Sequence, residues 1–382
     1  MSETKIQLPE ISQINENKNI LSFRIAKCNV SIINAIRRTL ISDIPVVAFK
    51  TEPHNDINDE LSSVIIYENT TSFTNEILKQ RLACIPVHIK DYDKTPLNNL
   101  VVYLDMENNS DTLKFITTED FKIMDTTTNR ELSEDMKKKI FPPSKMTKEY
   151  ILFSRLKPTI SKNIPGQKLK FQAKLFVSTA KESGQFNVCC TAAYKNTEDN
   201  IKQTEAWSVE EEKLEKLMLS PVEIDNKKKN WYIHDSKRYY KEDSFDFKVE
   251  TIGIYTNEQL IKKSCEVLNI SLIQFQKKME EDLFEIIPDV ISVKNSFDIK
   301  LTGYSYTIGK VIEYLLHEMY FKKQKILSYV GFIKKHPHDD YSIIRVVFAD
   351  EDKSNIDNIK SLIYGCVDKA RQIFDSINES FI

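Results

Sequence analysis

The chain has 382 residues, 41% of them hydrophobic, with 54 basic and 56 acidic side chains and a formal net charge of −2. That length can bury a sizeable core in two or three domains, and the near cancellation of charge argues against holding nucleic acid as a main task, because counterion release needs a basic excess. No apolar run approaches the roughly 20 residues of a bilayer span, and Met1-Ser2-Glu3-Thr4-Lys5 opens polar with no apolar core behind it, so a soluble intracellular protein with no leader and no membrane contact is expected.

Leu21-Ser22-Phe23-Arg24-Ile25 alternates apolar and polar, as a half-buried strand does. Ser31 is expected to cap a helix whose apolar positions Ile32, Ile33, Ala35, Ile36 and Leu40 gather on one side, with Arg37 and Arg38 towards the other. Pro45 disfavours helical backbone at the residue before it, so this helix ends near Ser42-Asp43-Ile44 and a short apolar strand follows. From about residue 51 the chain reads as polar loops and short strands, among them Leu61 to Tyr67 and Leu100 to Leu104. Charges and Pro142-Pro143 dominate Thr117 to Tyr150, which suggests a surface insertion with little core. Leu169, Phe171, Ala173, Leu175 and Val177 occupy every second position, as do Phe186, Val188, Cys190, Ala192 and Tyr194, and the Ser183-Gly184 loop between the two runs suggests a hairpin. The charged stretch Ser208 to Asp243 has a poor helical period, and the runs Lys137-Lys138-Lys139 and Lys227-Lys228-Lys229, each with acidic residues nearby, read as solvated surface.

Phe245, Phe247 and Val249 then alternate as a strand, and Glu258 to Glu281 reads as a long helix. A second unit begins near Ile291 and runs strand (Phe297 to Leu301), helix (Tyr306 to Tyr320), strand (Ile326 to Ile333), strand (Tyr341 to Phe348) and a final helix. In that helix Ile356, Ile359, Ile363, Val367, Ala370, Phe374 and Ile377 form a stripe suited to packing on a partner helix. The order repeats the first segment. At a constant offset of 276, Ser31-Ile32 sits over Thr307-Ile308, Ile36 over Ile312, Leu40 over Leu316, and Phe23 and Ile25 over Ile299 and Leu301. Two copies of a unit that cannot bury its apolar face alone are expected to pack on each other as a covalent pseudo-dimer. The predicted contact consists of Ile32, Ile36, Leu40, Ile308, Ile312, Leu316, Ile363, Val367 and Phe374.

Six cysteines, at 28, 84, 189, 190, 265 and 366, form no C-x-x-C pair, which removes the redox motif and the common zinc pattern. Cys189 and Cys190 would point to opposite faces of a strand, and free thiols are the expectation in a reducing compartment. His336-Pro337-His338 has no further ligand at a recognised spacing and reads as a turn, while His88 and His317 pair with no nucleophile. The seven glycines form no phosphate-cradling loop, and no short Asp-rich loop is available to hold catalytic magnesium. No catalytic residue, metal or cofactor is expected.

Asn34-Ala35-Ile36-Arg37-Arg38 followed by Ile44-Pro45 resembles the signature of the larger alpha-like assembly subunit of DNA-dependent RNA polymerase, called D in archaea and the third-largest subunit in eukaryotic polymerase II. Asn69 through Pro86 resembles that family's second signature, with Asn75, Gln80 and Ala83 where the family usually has Asp, His and Gly. Tyr306-Thr307-Ile308-Gly309-Lys310, with Val330-Gly331-Phe332 and His336-Pro337-His338, is similar to the smaller partner, archaeal L. Most cellular polymerases carry these as two chains; both on one polypeptide resembles the arrangement in large cytoplasmic DNA viruses. Several relatives of the larger partner carry a cysteine cluster in an inserted domain, whereas residues 85 to 188 here contain no cysteine, so the insertion is expected to be held by its own packing.

The resemblance implies an α+β fold of two alpha-like dimerisation units in pseudo-two-fold arrangement. A D-like domain would span 1–50 and 171–282, an inserted subdomain 51–170, and an L-like domain 283–382. It implies a non-catalytic platform that recruits the largest and second-largest polymerase subunits and other small polymerase subunits, with little direct nucleic-acid contact, in the viral factory of the host cytoplasm and in the virion. Asn34, Arg37, Arg38, Glu76 and Arg81 would dock the large subunits, since a planar guanidinium suits bidentate pairing at a desolvated interface. Joining the halves makes their association intramolecular, at an effective concentration on the order of millimolar. Two alternatives stay open: a homodimeric interaction module outside transcription, and an enzyme using a reactive thiol at Cys84 or Cys189.

Overall fold

The structure, a computed structural model, is described for residues 7–51, 63–161, 163–217, 219–289 and 293–381. Met1 to Lys5, Leu61 at the expected start of a strand, and Ile291 at the expected start of the second unit lie outside the described residues. The chain opens with β1 (Glu10–Asn17), β2 (Ile20–Ala26), α1 (Val30–Ser42), β3 (Val46–Phe49), β4 (Val64–Asn69) and α2 (Asn75–Ala83). Next come β5 (Leu100–Glu107), β6 (Lys114–Thr117), β7 (Lys122–Asp125), β8 (Arg130–Glu131), α3 (Glu134–Ile140), β9 (Leu152–Leu156) and β10 (Lys168–Ser178). These are followed by β11 (Cys189–Glu198), α4 (Asn200–Lys216), α5 (Pro221–Ile233), β12 (Tyr240–Thr251) and α6 (Asn257–Glu280). The chain closes with β13 (Glu285–Asp289), β14 (Ser296–Thr302), α7 (Tyr306–Leu316), β15 (Leu327–Ile333), β16 (Tyr341–Phe348) and α8 (Ile356–Glu379).

This mixed α+β chain divides into two compact units, one of Met1–Leu40, Thr191–Glu250 and Asn257–Ile382, the other of Ile41–Cys190 and Thr251–Thr256. The first unit holds two four-stranded sheets, ordered β1-β2-β12-β11 and β13-β14-β16-β15. Both follow one path: hairpin, helix, two further strands, helix. The offset of 276 reappears in the element ends, since β2 covers 20–26 and β14 covers 296–302, while α1 starts at 30 and α7 at 306. Burial repeats with it. Ile32, Ile33, Ala35, Ile36, Thr39 and Leu40 are buried on α1, and the six positions 276 residues later, Ile308, Gly309, Val311, Ile312, Leu315 and Leu316, are buried on α7.

The alternation read from the strands explains this. Leu21, Phe23 and Ile25 of β2, and Phe297, Ile299 and Leu301 of β14, are buried, so the residues between them face the other side. There each sheet carries a cross-strand arginine–aspartate pair, Arg24 to Asp246 at 2.7 Å and a bidentate Arg345 to Asp298 at 2.6 and 2.7 Å. Helix α8 packs on α6 and α7 through Ile359, Ile363, Val367, Ala370, Phe374 and Ile377. Ile356, expected in that stripe, is 44% exposed because it is the first helical residue, next to the cap Asn355. Gly309 lies mid-helix where a Cβ would come within 2.0 Å of the Phe332 ring, so glycine there permits the close approach of α7 to β15.

The second unit is built on a six-stranded sheet, β3-β10-β5-β7-β8 with β4 also on β10, and the ribbon β6-β9. At its centre Phe121 is fully buried and meets Phe141, Phe153 and Phe171 edge-on at 5.7, 5.4 and 5.5 Å. Thr117 to Tyr150, expected to hold little core, therefore supplies its centre, because Phe121, Ile123, Ile140 and Phe141 are spread among charges whose period hides them. The expected hairpin of 169–177 with 186–194 does not form either. β10 pairs with β3, β4 and β5, while β11 joins the other unit's sheet. Because Phe49 pairs with Leu175, residues 41–50 and 171–190 group with this unit, as do 251–256, while the rest of the span drawn as D-like groups with the residues after 282.

Smaller differences are local. Asn29, not Ser31, caps α1, its Oδ1 accepting the Ser31 N–H at 2.9 Å. The helix from Tyr306 leaves α-geometry at Leu316 and continues as a π-helical segment, His317–Lys323. β1 was not legible, since seven of its eight residues are exposed and it carries a register shift between Ser12 and Asn15. β13 lies before Ile291, where the second unit was expected to begin, and pairs with β14, so the second repeat begins at β13. The charged stretch after Ser208 falls in two helices, α4 and α5, whose contact is aromatic, Trp207 meeting Trp231 at 5.5 Å.

Candidate functional site

The residues proposed for docking fall into two groups, one in each unit. In the first unit, Asn34, Arg37 and Arg38 lie on α1 and are all half-buried. Arg37 Nε donates to Asn34 Oδ1 one turn earlier at 3.0 Å, which fixes the guanidinium along the helix. Arg38 does not face away from the fold: its Nε donates to Thr307 Oγ1 at 2.9 Å, so α1 of the first repeat holds the start of α7 of the second. At the offset of 276, Thr307 is the counterpart of Ser31 and Tyr314 the counterpart of Arg38. Tyr314 is half-buried on α7. Burial, then Glu318, Asp243 and Cys28, push its hydroxyl well above the usual phenol range. Burial also raises the Asp243 carboxyl, helped by Glu242 and Glu318. Neither Tyr314 nor Asp243 was singled out from the sequence, because nothing local marks them.

In the second unit the signature Asn69 to Pro86 forms a loop leading into α2. Asn69 organises the loop, donating from Nδ2 to Phe73 O and Asn75 Oδ1 at 2.8 Å each and accepting from Thr71 N and Oγ1 at 3.0 and 2.7 Å. Thr74 caps α2 by accepting the Ile77 N–H, and Glu76 stands exposed in the first turn, where a carboxylate favours the helix dipole. Arg81 points inward. Its Nε donates to Phe153 O and its Nη2 to Leu152 O, both at 2.7 Å, and the guanidinium lies 5.5 Å from the Phe73 ring centroid. This geometry makes Arg81 a positioning residue that ties α2 to β9. Arg81→Ala leaves two part-buried carbonyls without their charged donor and is expected to cost about 2–3 kcal/mol. Arg81→Lys should recover less than half of that, because one ammonium cannot reproduce the fork. Urea melts of both variants check this.

Gln80 and Ala83, two of the three departures from the family signature, line a groove of about 760 Å³ within the second unit, together with Val46, Ala48, Cys84 and Ile254. At its side Thr51 donates to Gln185 Oε1 at 3.2 Å, and the buried Gln185 Nε2 finds no acceptor among the described residues.

The nine residues expected to form the pseudo-dimer contact, Ile32, Ile36, Leu40, Ile308, Ile312, Leu316, Ile363, Val367 and Phe374, are all buried. Other contacts join the two repeats: Asn269 Nδ2 to Asp375 Oδ1 at 2.6 Å, and the Phe23 ring against Phe381 at 4.9 Å. Of the thiols weighed for chemistry, Cys84 is exposed at the end of α2 and Cys189 is buried at the start of β11, with its neighbour Cys190 exposed. Burial pushes the Cys265 thiol up to about 12. Among the described residues no group of three His, Cys, Asp or Glu side chains is placed to hold a metal ion; His336 Nδ1 accepts the His338 N–H at 3.2 Å and the His336 backbone N–H donates to Asp339 Oδ2 at 3.0 Å, closing a turn.

Residues 22–272 match the family model of the RNA polymerase Rpb3/Rpb11 dimerisation domain. The chain is similar, at 22% identity over 68% of its own length and 91% of the relative's, to a "Conjugation stage-specific protein" of Tetrahymena thermophila. It is 36% identical to "DNA-directed RNA polymerase subunit Rpo3" of Methanocaldococcus jannaschii over 21% of this chain and 34% of that one. It is 30% identical to "DNA-directed RNA polymerases I and III subunit RPAC1" of Homo sapiens over 20% and 19%. The match thus spans about a third or less of these two polymerase relatives. The family model covers well over half of the 382 residues. The chain therefore belongs to the family of the RNA polymerase Rpb3/Rpb11 dimerisation domain.

Proposed function

We propose that this chain is the non-catalytic assembly platform of a multisubunit DNA-directed RNA polymerase, a D-like half joined covalently to an L-like half in pseudo-two-fold arrangement, with a subdomain inserted in the first. The observation that carries this reading is the repeat: two sheets of one strand order, with the same six helix positions buried at an offset of 276. The family match ends at residue 272, before β13, so the L-like half rests on that repeat. The hydrogen bond from Arg38 on α1 of the first repeat to Thr307 at the start of α7 of the second supports a packing of the two repeats on each other. In this reading the largest and second-largest subunits, and other small ones, bind faces that carry Asn34, Arg37, Arg38 and Glu76, while Arg81 holds α2 in place. The single-chain arrangement supports a viral setting, the factory in the host cytoplasm and the virion, which fractionation of infected cells tests.

Tagged chain from its native source, washed at moderate salt, is expected to retain two very large subunits and RNA-synthesising activity, identified by mass spectrometry. Recovery of the chain alone or as a self-dimer would replace this reading with a homodimeric module outside transcription. Arg38→Glu should lower recovery of the large subunits about tenfold or more, the loss of one interface hot spot. Thr307→Val removes only the internal acceptor and should leave recovery unchanged. Normal assembly by Arg38→Glu would end the docking role of that residue.

A further inference from the structure

The sheet β13-β14-β16-β15 ends in two strands of different character. β13 carries Pro288, which has no N–H to offer a neighbour. β15 carries no proline, pairs only with β16 among the described residues, and buries only Leu327 of its seven residues. Its outer edge is therefore a row of backbone groups with no strand beside them. One of those groups is already engaged. Phe332 N–H donates at 3.0 Å to Glu313 Oε1, a side chain of α7, while the other carboxylate oxygen pairs with Lys310. Phe332 thus points its backbone away from β16, and so does Val330, two residues earlier with no register shift between them. The carboxylate sits where the carbonyl of an added strand would sit.

The side chains of β15 divide in the same way. Phe332 turns to α7, its ring against Gly309 and 5.3 Å from Tyr306, so Tyr329, Gly331 and Ile333 share the opposite face. There Tyr329 and Ile333 are each 52% exposed, and a Cβ on Gly331 would meet the Tyr329 hydroxyl at 2.4 Å. The Tyr329 ring covers the glycine and leaves an apolar shelf along the open edge. Charge marks both ends of the strand. Lys325 stands before it and Lys334 and Lys335 follow it, and none of the three has a carboxylate partner among the described residues, whereas Lys322 and Lys323 both pair with Glu318.

We propose that β15 binds an extended segment of another protein by strand addition, a segment with apolar side chains at alternate positions and acidic ends, and that Glu313 holds the edge closed until this segment displaces it. The added backbone takes the edge groups of Val330 and Phe332, its apolar side chains take the shelf of Tyr329 and Ile333, and its carboxylates meet the three lysines. The exchange is nearly even, since Phe332 N–H trades one acceptor for another while Glu313 keeps Lys310. A second copy of this chain fits the edge poorly. Two β15 strands paired antiparallel about a two-fold axis at Val330 bring Lys325 of each copy beside Lys334 and Lys335 of the other, and like charges repel there. The inference does not depend on the polymerase reading.

Fluorescence anisotropy of the full chain with a labelled peptide of alternating threonine and valine, closed by two aspartates at each end, tests this. Binding is expected with a Kd on the order of 100 μM, as for a strand not optimised for its site. Hydrogen exchange read by mass spectrometry should show the added protection at β15. Lys325→Glu and Lys335→Glu together should weaken binding about tenfold or more. Both side chains are exposed, and far-UV circular dichroism should show this variant folded. Glu313→Ala should tighten binding about threefold, because no side chain then has to be displaced; unchanged or weaker binding by a folded Glu313→Ala chain would end the closing role of Glu313. Absence of binding at about 1 mM, tenfold above the expected Kd, would overturn the proposal. Equal binding of a peptide with proline for its central valine, which cannot join a strand edge, would overturn it as well, since the lysines would then be attracting charge alone. A free chain found dimeric by light scattering, and made monomeric by Val330→Pro, would overturn it in favour of a second copy on the same edge.

Discussion

Replacing Phe121 by Ala is expected to destabilise the Ile41–Cys190 unit by about 4 kcal/mol. The ring is fully buried, and three other rings meet it edge-on within 5.7 Å, so truncation removes transfer energy and the edge-to-face contacts at once. The neighbours Phe141, Phe153 and Phe171 are held by different elements and cannot all move into the space. Both tryptophans of the chain, Trp207 and Trp231, lie in the other unit. Denaturant unfolding followed by circular dichroism should therefore show an early transition that tryptophan fluorescence reports weakly. A loss below about 1 kcal/mol would mean that the cluster repacks and is not the centre of this core.

Ile36→Ala and Ile312→Ala should each cost about 3 kcal/mol, and the two costs should agree to within about 1 kcal/mol. The residues hold one position in the two repeats and are 1% and 0% exposed. Tryptophan fluorescence during urea unfolding is the readout, since both belong to the unit that contains the tryptophans. The double variant carries more information. If the two helices meet in pseudo-two-fold fashion, Ile36 and Ile312 share a cavity, and the double loss should fall short of the sum by at least about 0.5 kcal/mol. Additivity within about 0.3 kcal/mol would mean that each helix packs only on its own sheet, and the pseudo-dimer reading would have to be given up.

Membership of the family was legible from two short segments, because Asn34 to Pro45 and Asn69 to Pro86 each combine a helix with a charge pattern few other sequences share. The repeat was legible for a different reason. Burying one helix face and one strand face imposes a periodicity, and the offset of 276 relates two copies of it, down to the ends of β2 and β14. The termination of α1 was equally local, set by Pro45.

What remained hidden depended on which strand lies beside which. β10 and β11 alternate alike and are separated by a turn, yet they belong to different sheets, because hydrogen bonds to β3, β4 and β5 take both edges of β10. Arg81 looked available for a partner, but its fork is used by the Leu152 and Phe153 carbonyls about seventy residues away. Arg38 was expected on the side of α1 away from its apolar face, yet it meets Thr307 at the start of α7. Phe121 and Phe141 showed no period, since their burial comes from neighbours far along the chain. The sequence by itself therefore determined the periodic faces, the helix stops, the repeat and the family, all written within a few turns of chain. Only the tertiary structure decided the strand neighbours, the unit boundaries and the hydrogen-bond partners of the arginines, because those are settled by groups distant in sequence competing for the same backbone edges and the same buried space.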